Sequence, residues 1–139
     1  MKNDHRPVNI NLTKIKLPIS ALTSITHRLT GMYVFFITLP LSIFLFYIST
    51  SNAESFLNLI NILANNSYIT TFVAFSYLVF LYHILTGVRH LIMDMHIGES
   101  LEASKYSSIF VLFIWFLSVI TSFMAVSYTH LTLPTIYSV

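Results

Sequence analysis

No Asp, Glu, Lys or Arg occurs between Arg28 and Glu54, and that gap limits what this chain can fold into. Wound as a helix at 1.5 Å per residue, such a run crosses a bilayer core of about 30 Å. The same pattern recurs between Glu54 and Arg89, and again after Lys105. Of the 139 residues 55% are apolar and only 9% charged, with a mean hydropathy of +0.76, the profile of a membrane protein. The absence of cysteine excludes a disulfide framework, an iron–sulfur cluster held by this chain and a covalently attached c-type haem. A pI of about 9.0 does not point to nucleic acid, because the basic residues sit at the ends of apolar segments and form no patch.

These features predict an all-α membrane protein with three transmembrane helices, about 19–48, 68–93 and 107–125. Residues 1–18 read as a basic, interfacial arm, in which Pro7 and Pro18 bracket NINLTKIKL. No apolar core precedes a small-residue cleavage site there, so it does not read as a signal peptide. Pro18 suits the first turn of a helix starting near Ile19, and Pro40 should kink that helix by deleting one backbone bond. Between Asn52 and Ser67, Phe56, Leu59, Ile60 and Leu63 recur at helical spacing, which predicts a short amphipathic surface helix. HIGESLEASKYSS follows the second span as a polar connection, with Gly98 as the helix stop.

All seven Lys and Arg residues lie in the arm, at its end of the first helix, or between the second and third helices. The positive-inside rule then places the N-terminus and second loop in the cytoplasm, with the first loop and C-terminus outside. The last stretch, VSYTHLTLPTIYSV from Val126, departs from the pattern and resembles one reading frame of a transposase-type sequencing adapter. Residues 126–139 are therefore expected to be a non-native tail in which His130 has no function.

Chemistry concentrates in LYHILTGVRHLIMD, Leu81 to Asp94. His83, Gly87 and His90 fall on one stripe of a helix, with an imidazole at membrane depth and a gap in the side chains at Gly87. A flat cofactor with polar substituents fits such a stripe, and haem b has that shape, with His83 as axial ligand. A histidine in a membrane helix also serves by bonding a carbonyl on a neighbouring helix, and the residues alone leave both readings open. His27, His90 and His96 are expected near the interface, so a second axial ligand would have to come from a partner chain. His27, Arg28, Arg89 and His90 gather at the same expected end of the first two helices, where haem propionates would need cationic donors. Plain snorkelling is the alternative for the two arginines. Ser24 and Arg28, four apart on one face, set a hydroxyl beside a cation at an apolar boundary, an arrangement suited to a quinone carbonyl. Gly31 and Gly87 also read simply as close-approach positions between helices.

RPVNINLTKIKLPISALTSITHRLTGMY, followed by YHILTGVRHLIMD, closely resembles the cytochrome b556 membrane-anchor subunit family of succinate dehydrogenase, respiratory complex II. The resemblance covers roughly Arg6 to Ser118. It rests on an SxxHRxTG string at the start of the first helix and HxxxGxRHxxxD at the end of the second. It implies haem b bound by His83, with the second axial ligand from a companion anchor subunit. It also implies propionate contacts at His27, Arg28 and His90 and a ubiquinone pocket lined by Ser24 and Arg28. The chain would then be part of a heteromeric helix bundle in a bacterial inner membrane, or a mitochondrial one if organellar. Iron–sulfur and flavoprotein subunits would supply the succinate chemistry, since this chain has no succinate site of its own. A haem-free anchor and a fumarate reductase-type anchor are the rival readings. A transporter fits least, because three spans offer no repeat of the kind alternating access uses.

Overall fold

Helix α1, Ile19–Tyr33, begins where the extended Pro18 (φ −62°, ψ 150°) presents its carbonyl to the amides of Ala21 and Leu22 at 3.0 and 3.1 Å. The computed structural model describes residues 16–136, with side chains as far as residue 127. Most of the predicted arm lies outside that range, as does the side chain of His130.

A five-residue π turn, Val34–Thr38, joins α1 to α2, Leu39–Ser51. The Leu39 amide reaches back five residues to the Val34 carbonyl. Pro40, two positions later, has no N–H and its ring crowds the carbonyl four residues before it, so a widened turn ahead of it relieves both problems. The kink expected at Pro40 thus takes the form of a π turn inside one continuous span, Ile19–Ser51. Thr38 is buried in this turn, and its hydroxyl has no hydrogen-bond partner among the described residues.

Asn52 breaks the helix in an extended conformation and caps α3, Ala53–Asn65, by accepting the Ser55 amide at 2.8 Å. Asn66 does the same for α4, Ser67–Asp94, through the Ile69 amide. The predicted surface helix and second span are both present. His96 (φ 62°) and Gly98 (φ 76°) turn the chain after α4, and α5 runs over Leu101–Ile136.

Two boundaries of the third helix differ from expectation. It starts at Leu101, six residues before Ser107, because the Ser100 hydroxyl accepts the Ala103 amide and its carbonyl accepts the Ser104 amide. With Glu102 in the first turn, SLEA is a helix start, and half of the expected polar connection is helical. At the other end the backbone stays helical through Ile136, into the stretch set apart as a tail.

Helix α4 packs against both α1 and α5, which also touch each other, while α3 contacts α2, α4 and α5. The most deeply buried side chains are small and hydroxylated: Thr23, Ser76, Thr86 and Ser108 are each at most 1% exposed. Tyr82 and Val111 are the buried apolar residues among those described. Phe35, Phe36, Phe46 and Tyr47 stand at least 64% exposed, and α2 buries nothing. This inverts a water-soluble protein. Lipid tails remove the hydrophobic drive between helices, so close approach of small residues and interhelical hydrogen bonds hold the seams together.

Candidate functional site

The seam between α1 and α4 is built on a repeated pentapeptide. HRLTG, His27–Gly31, and HILTG, His83–Gly87, share the pattern His-x-Leu-Thr-Gly. The two strings meet reciprocally. The His27 ring lies over Gly87, where an added Cβ would be 3.2 Å from its Cε1, and the His83 ring lies over Gly31 at 3.1 Å. His27 Nδ1 is 2.8 Å from the Thr86 hydroxyl, and His83 Nδ1 is 3.3 Å from the Thr30 hydroxyl. The two imidazoles stack face to face, 4.3 Å between centroids and 4° from parallel.

The hydrogen bonds fix both tautomers. His83 Nδ1 also approaches the His27 carbonyl at 3.2 Å, and a carbonyl only accepts, so Nδ1 bears the proton. The Thr86 hydroxyl donates its single hydrogen to the Tyr82 carbonyl at 2.7 Å, so His27 Nδ1 must donate to it. Each ring therefore keeps a lone pair on Nε2, which no described residue hydrogen-bonds. A neutral imidazole with Nδ1–H held by the backbone and Nε2 open is the form that ligates a metal. No group of three His, Asp or Glu side chains among the described residues converges on one point.

His27 lies level with His83, ring on ring, although no second histidine of this chain was expected at that depth. Stacked in parallel planes, the two rings hold their in-plane Nε2 lone pairs so that they do not point at one another. The gap at Gly87, expected to admit a cofactor edge, holds the edge of His27 instead. His90 continues the row, its ring 5.1 Å from His27 and tilted by 47°. The three rings form one line along the half-buried face of α1 and α4.

Ser24 is half-buried and Arg28 exposed, one turn apart on α1, and neither side chain hydrogen-bonds or ion-pairs with a described residue. Arg89 leaves the cationic group altogether. It is 5% exposed on the far side of α4, giving Nε to the Ser107 hydroxyl at 3.0 Å and Nη2 to the Ser104 hydroxyl and carbonyl at 2.9 and 3.0 Å.

Other interhelical bonds were not anticipated from sequence. Thr23 donates to Ser108 at 3.1 Å, the Thr26 and Tyr82 hydroxyls are 2.5 Å apart, Tyr33 meets Ser76 at 3.1 Å, and the Trp115 indole donates to the Leu78 carbonyl at 3.0 Å. The pentapeptide repeat, legible by aligning the first and second spans, is the signal for the His27–Thr86 and His83–Thr30 contacts and not for these.

Fold and site define a multi-pass, all-helical membrane protein with an imidazole row between its first two spans. Residues 2–122 match the model of the succinate dehydrogenase/fumarate reductase transmembrane subunit family, and the chain belongs to that family. It is 36% identical over 118 residues to the succinate dehydrogenase cytochrome b556 subunit of Coxiella burnetii, covering 85% of this chain and 94% of that one. The cytochrome b560 subunit of Porphyra purpurea is 32% identical, covering 74% and 82%. The b556 subunit of Rickettsia prowazekii is 35% identical, covering 70% and 74%. The chain is thus a cytochrome b-type membrane anchor of the succinate dehydrogenase kind.

Proposed function

We propose that this chain binds haem b through His83 Nε2, takes the second axial ligand from a companion anchor subunit, and lines a ubiquinone site with Ser24 and Arg28. The observation behind the haem reading is the fixed tautomer of His83, whose Nδ1–H is held by the His27 carbonyl while Nε2 stays open. The names of the relatives, cytochromes b556 and b560, agree with it. Bound haem supplies one-electron transfer at its iron.

The protein's own residues do the rest. Arg28 and His90 offer cationic or N–H donors to propionates at one end of the imidazole row. His27 joins them only when Nε2 is protonated, because its Nδ1–H is committed to Thr86. The exposed phenylalanines and leucines keep water from the stripe once lipid or a partner covers them. His130, in the stretch from Val126, takes no part.

Quinone reduction adds negative charge to a carbonyl oxygen. The Ser24 hydroxyl, which no described residue hydrogen-bonds, with a guanidinium one turn away stabilises that developing charge more than the neutral ground state. Electrons from succinate would arrive through iron–sulfur and flavoprotein subunits docked on the cytoplasmic face, the face assigned by the basic residues. The same site would serve either direction of electron flow.

Loss of a charge-assisted hydrogen bond of roughly 1.5 to 3 kcal/mol slows a reaction about ten- to a hundredfold. Ser24→Ala and Arg28→Leu should each lower quinone reductase activity on that scale at limiting quinone, while succinate oxidation with an artificial soluble acceptor holds near wild type. Unchanged quinone reduction in both variants would place the quinone elsewhere.

A further inference from the structure

On the face of α4 opposite the histidines, a groove of about 410 Å³ runs between α4 and α5 near the Asp94 end. Its wall is apolar, with Leu85, Val88, Ile92, Phe110 and Ile114 among the lining residues, and only Arg89 and Ser107 bring polar side-chain atoms to it. Val88, Ile92 and Phe110 are 50, 44 and 63% exposed, so the groove opens sideways toward lipid.

Arg89 is the unexplained group there. Its hydrogen bonds to Ser104 and Ser107 use Nε and Nη2, and no described residue accepts from Nη1. None of the four described carboxylates, Glu54, Asp94, Glu99 and Glu102, forms an ion pair with it. Neutral oxygens solvate this charge without balancing it, although the residue is only 5% exposed. A buried, uncompensated cation is costly, and an anion in contact relieves that cost.

The occupant must therefore be anionic at one end, apolar along its length, and present in the membrane. We propose that this groove binds one anionic phospholipid, with a phosphate oxygen accepting from Arg89 Nη1 and an acyl chain lying against Val88, Ile92 and Phe110. Arg89 lies about 8 Å along α4 from Asp94, at 1.5 Å per residue, so it stands close to where charge returns and headgroups begin. Free phosphate would leave the apolar wall unfilled, and a quinone would leave the charge unbalanced.

The test is native mass spectrometry of the purified complex containing the full chain, equilibrated with mixed micelles of equal phosphatidylglycerol and phosphatidylcholine. One phosphatidylglycerol per chain is expected, retained at least tenfold over phosphatidylcholine. Arg89→Met should cut that retention at least tenfold and Lys16→Gln should leave it unchanged. Because Arg89→Met also breaks bonds between α4 and α5, Ala103→Phe provides a second arm, filling the groove from α5 while Arg89 stays in place. Loss of the lipid in Ala103→Phe supports the site. Equal retention of the two lipids, a quinone or fatty acid in place of phospholipid, or wild-type retention in Ala103→Phe overturns it.

Discussion

The two seams on either side of α4 use the same residue types to different ends. Toward α5, Ser104 and Ser107 take up Nε and Nη2 of Arg89, so these polar atoms of the two helices are turned toward each other. Toward α1, threonines and glycines hold two imidazoles by Nδ1 and leave Nε2 of each facing away from the bond network. A polar residue in a membrane helix is often taken as functional, yet Arg89 and His83 are equally unusual in sequence and play different parts. What separates them is which atoms the neighbouring helix leaves open.

Gly31→Val should disturb the α1–α4 seam most. The first added carbon would already sit 3.1 Å from His83 Cε1, and a branched side chain forces either the ring or the helix to move. Overpacking of this kind costs about 1 to 3 kcal/mol, and the expected outcome is a lower yield of assembled complex together with a displaced His83. Gly98→Ala, which meets only Ala103 Cβ at 3.8 Å but sits at φ 76°, should lower the helix-pair stability without touching the histidines. Equal effects of both on haem content would remove the distinction between the seams.

Thr86→Val ranks next. Thr86 is fully buried and its hydroxyl accepts from His27 Nδ1, so the isosteric valine leaves that N–H unpaired, at a cost of about 1 to 3 kcal/mol. Thermal denaturation of the complex should show the loss, while His83, held by the His27 carbonyl, keeps its tautomer. The smallest effect belongs to neither seam. Asn52→Ala removes the cap of α3 for about 1 kcal/mol, with haem content and quinone activity unchanged.

Charge spacing made the three spans legible, because the gaps after Arg28, Glu54 and Lys105 are set by bilayer thickness and not by any partner. The surface helix was readable from its apolar spacing. The early start of α5 was hidden because SLEA looks like loop composition until Ser100 is recognised as a cap. The candidate site divides in the same way. His83, Gly87 and His90 share a stripe by helical periodicity alone, whereas the stacking of His27 on His83 depends on how α1 and α4 align, which no single-helix pattern contains. The HRLTG and HILTG strings did contain it, since antiparallel helices bearing the same His-xxx-Gly spacing can dock each ring on the other's glycine. Arg89 was grouped with Arg28 because both lie at matching helix ends, and its rotation toward α5 appears only in three dimensions.

The central claim is that His83 presents an open Nε2 to a haem iron, and a reduced-minus-oxidised optical spectrum tests it most directly. The chain and its companion anchor, co-expressed and purified as the complex, should give a low-spin b-type spectrum. In His83→Leu that spectrum should vanish or change to a high-spin or shifted form, while His130→Leu leaves it as in wild type. A native low-spin spectrum in His83→Leu, in a complex assembled to normal yield, would contradict the account.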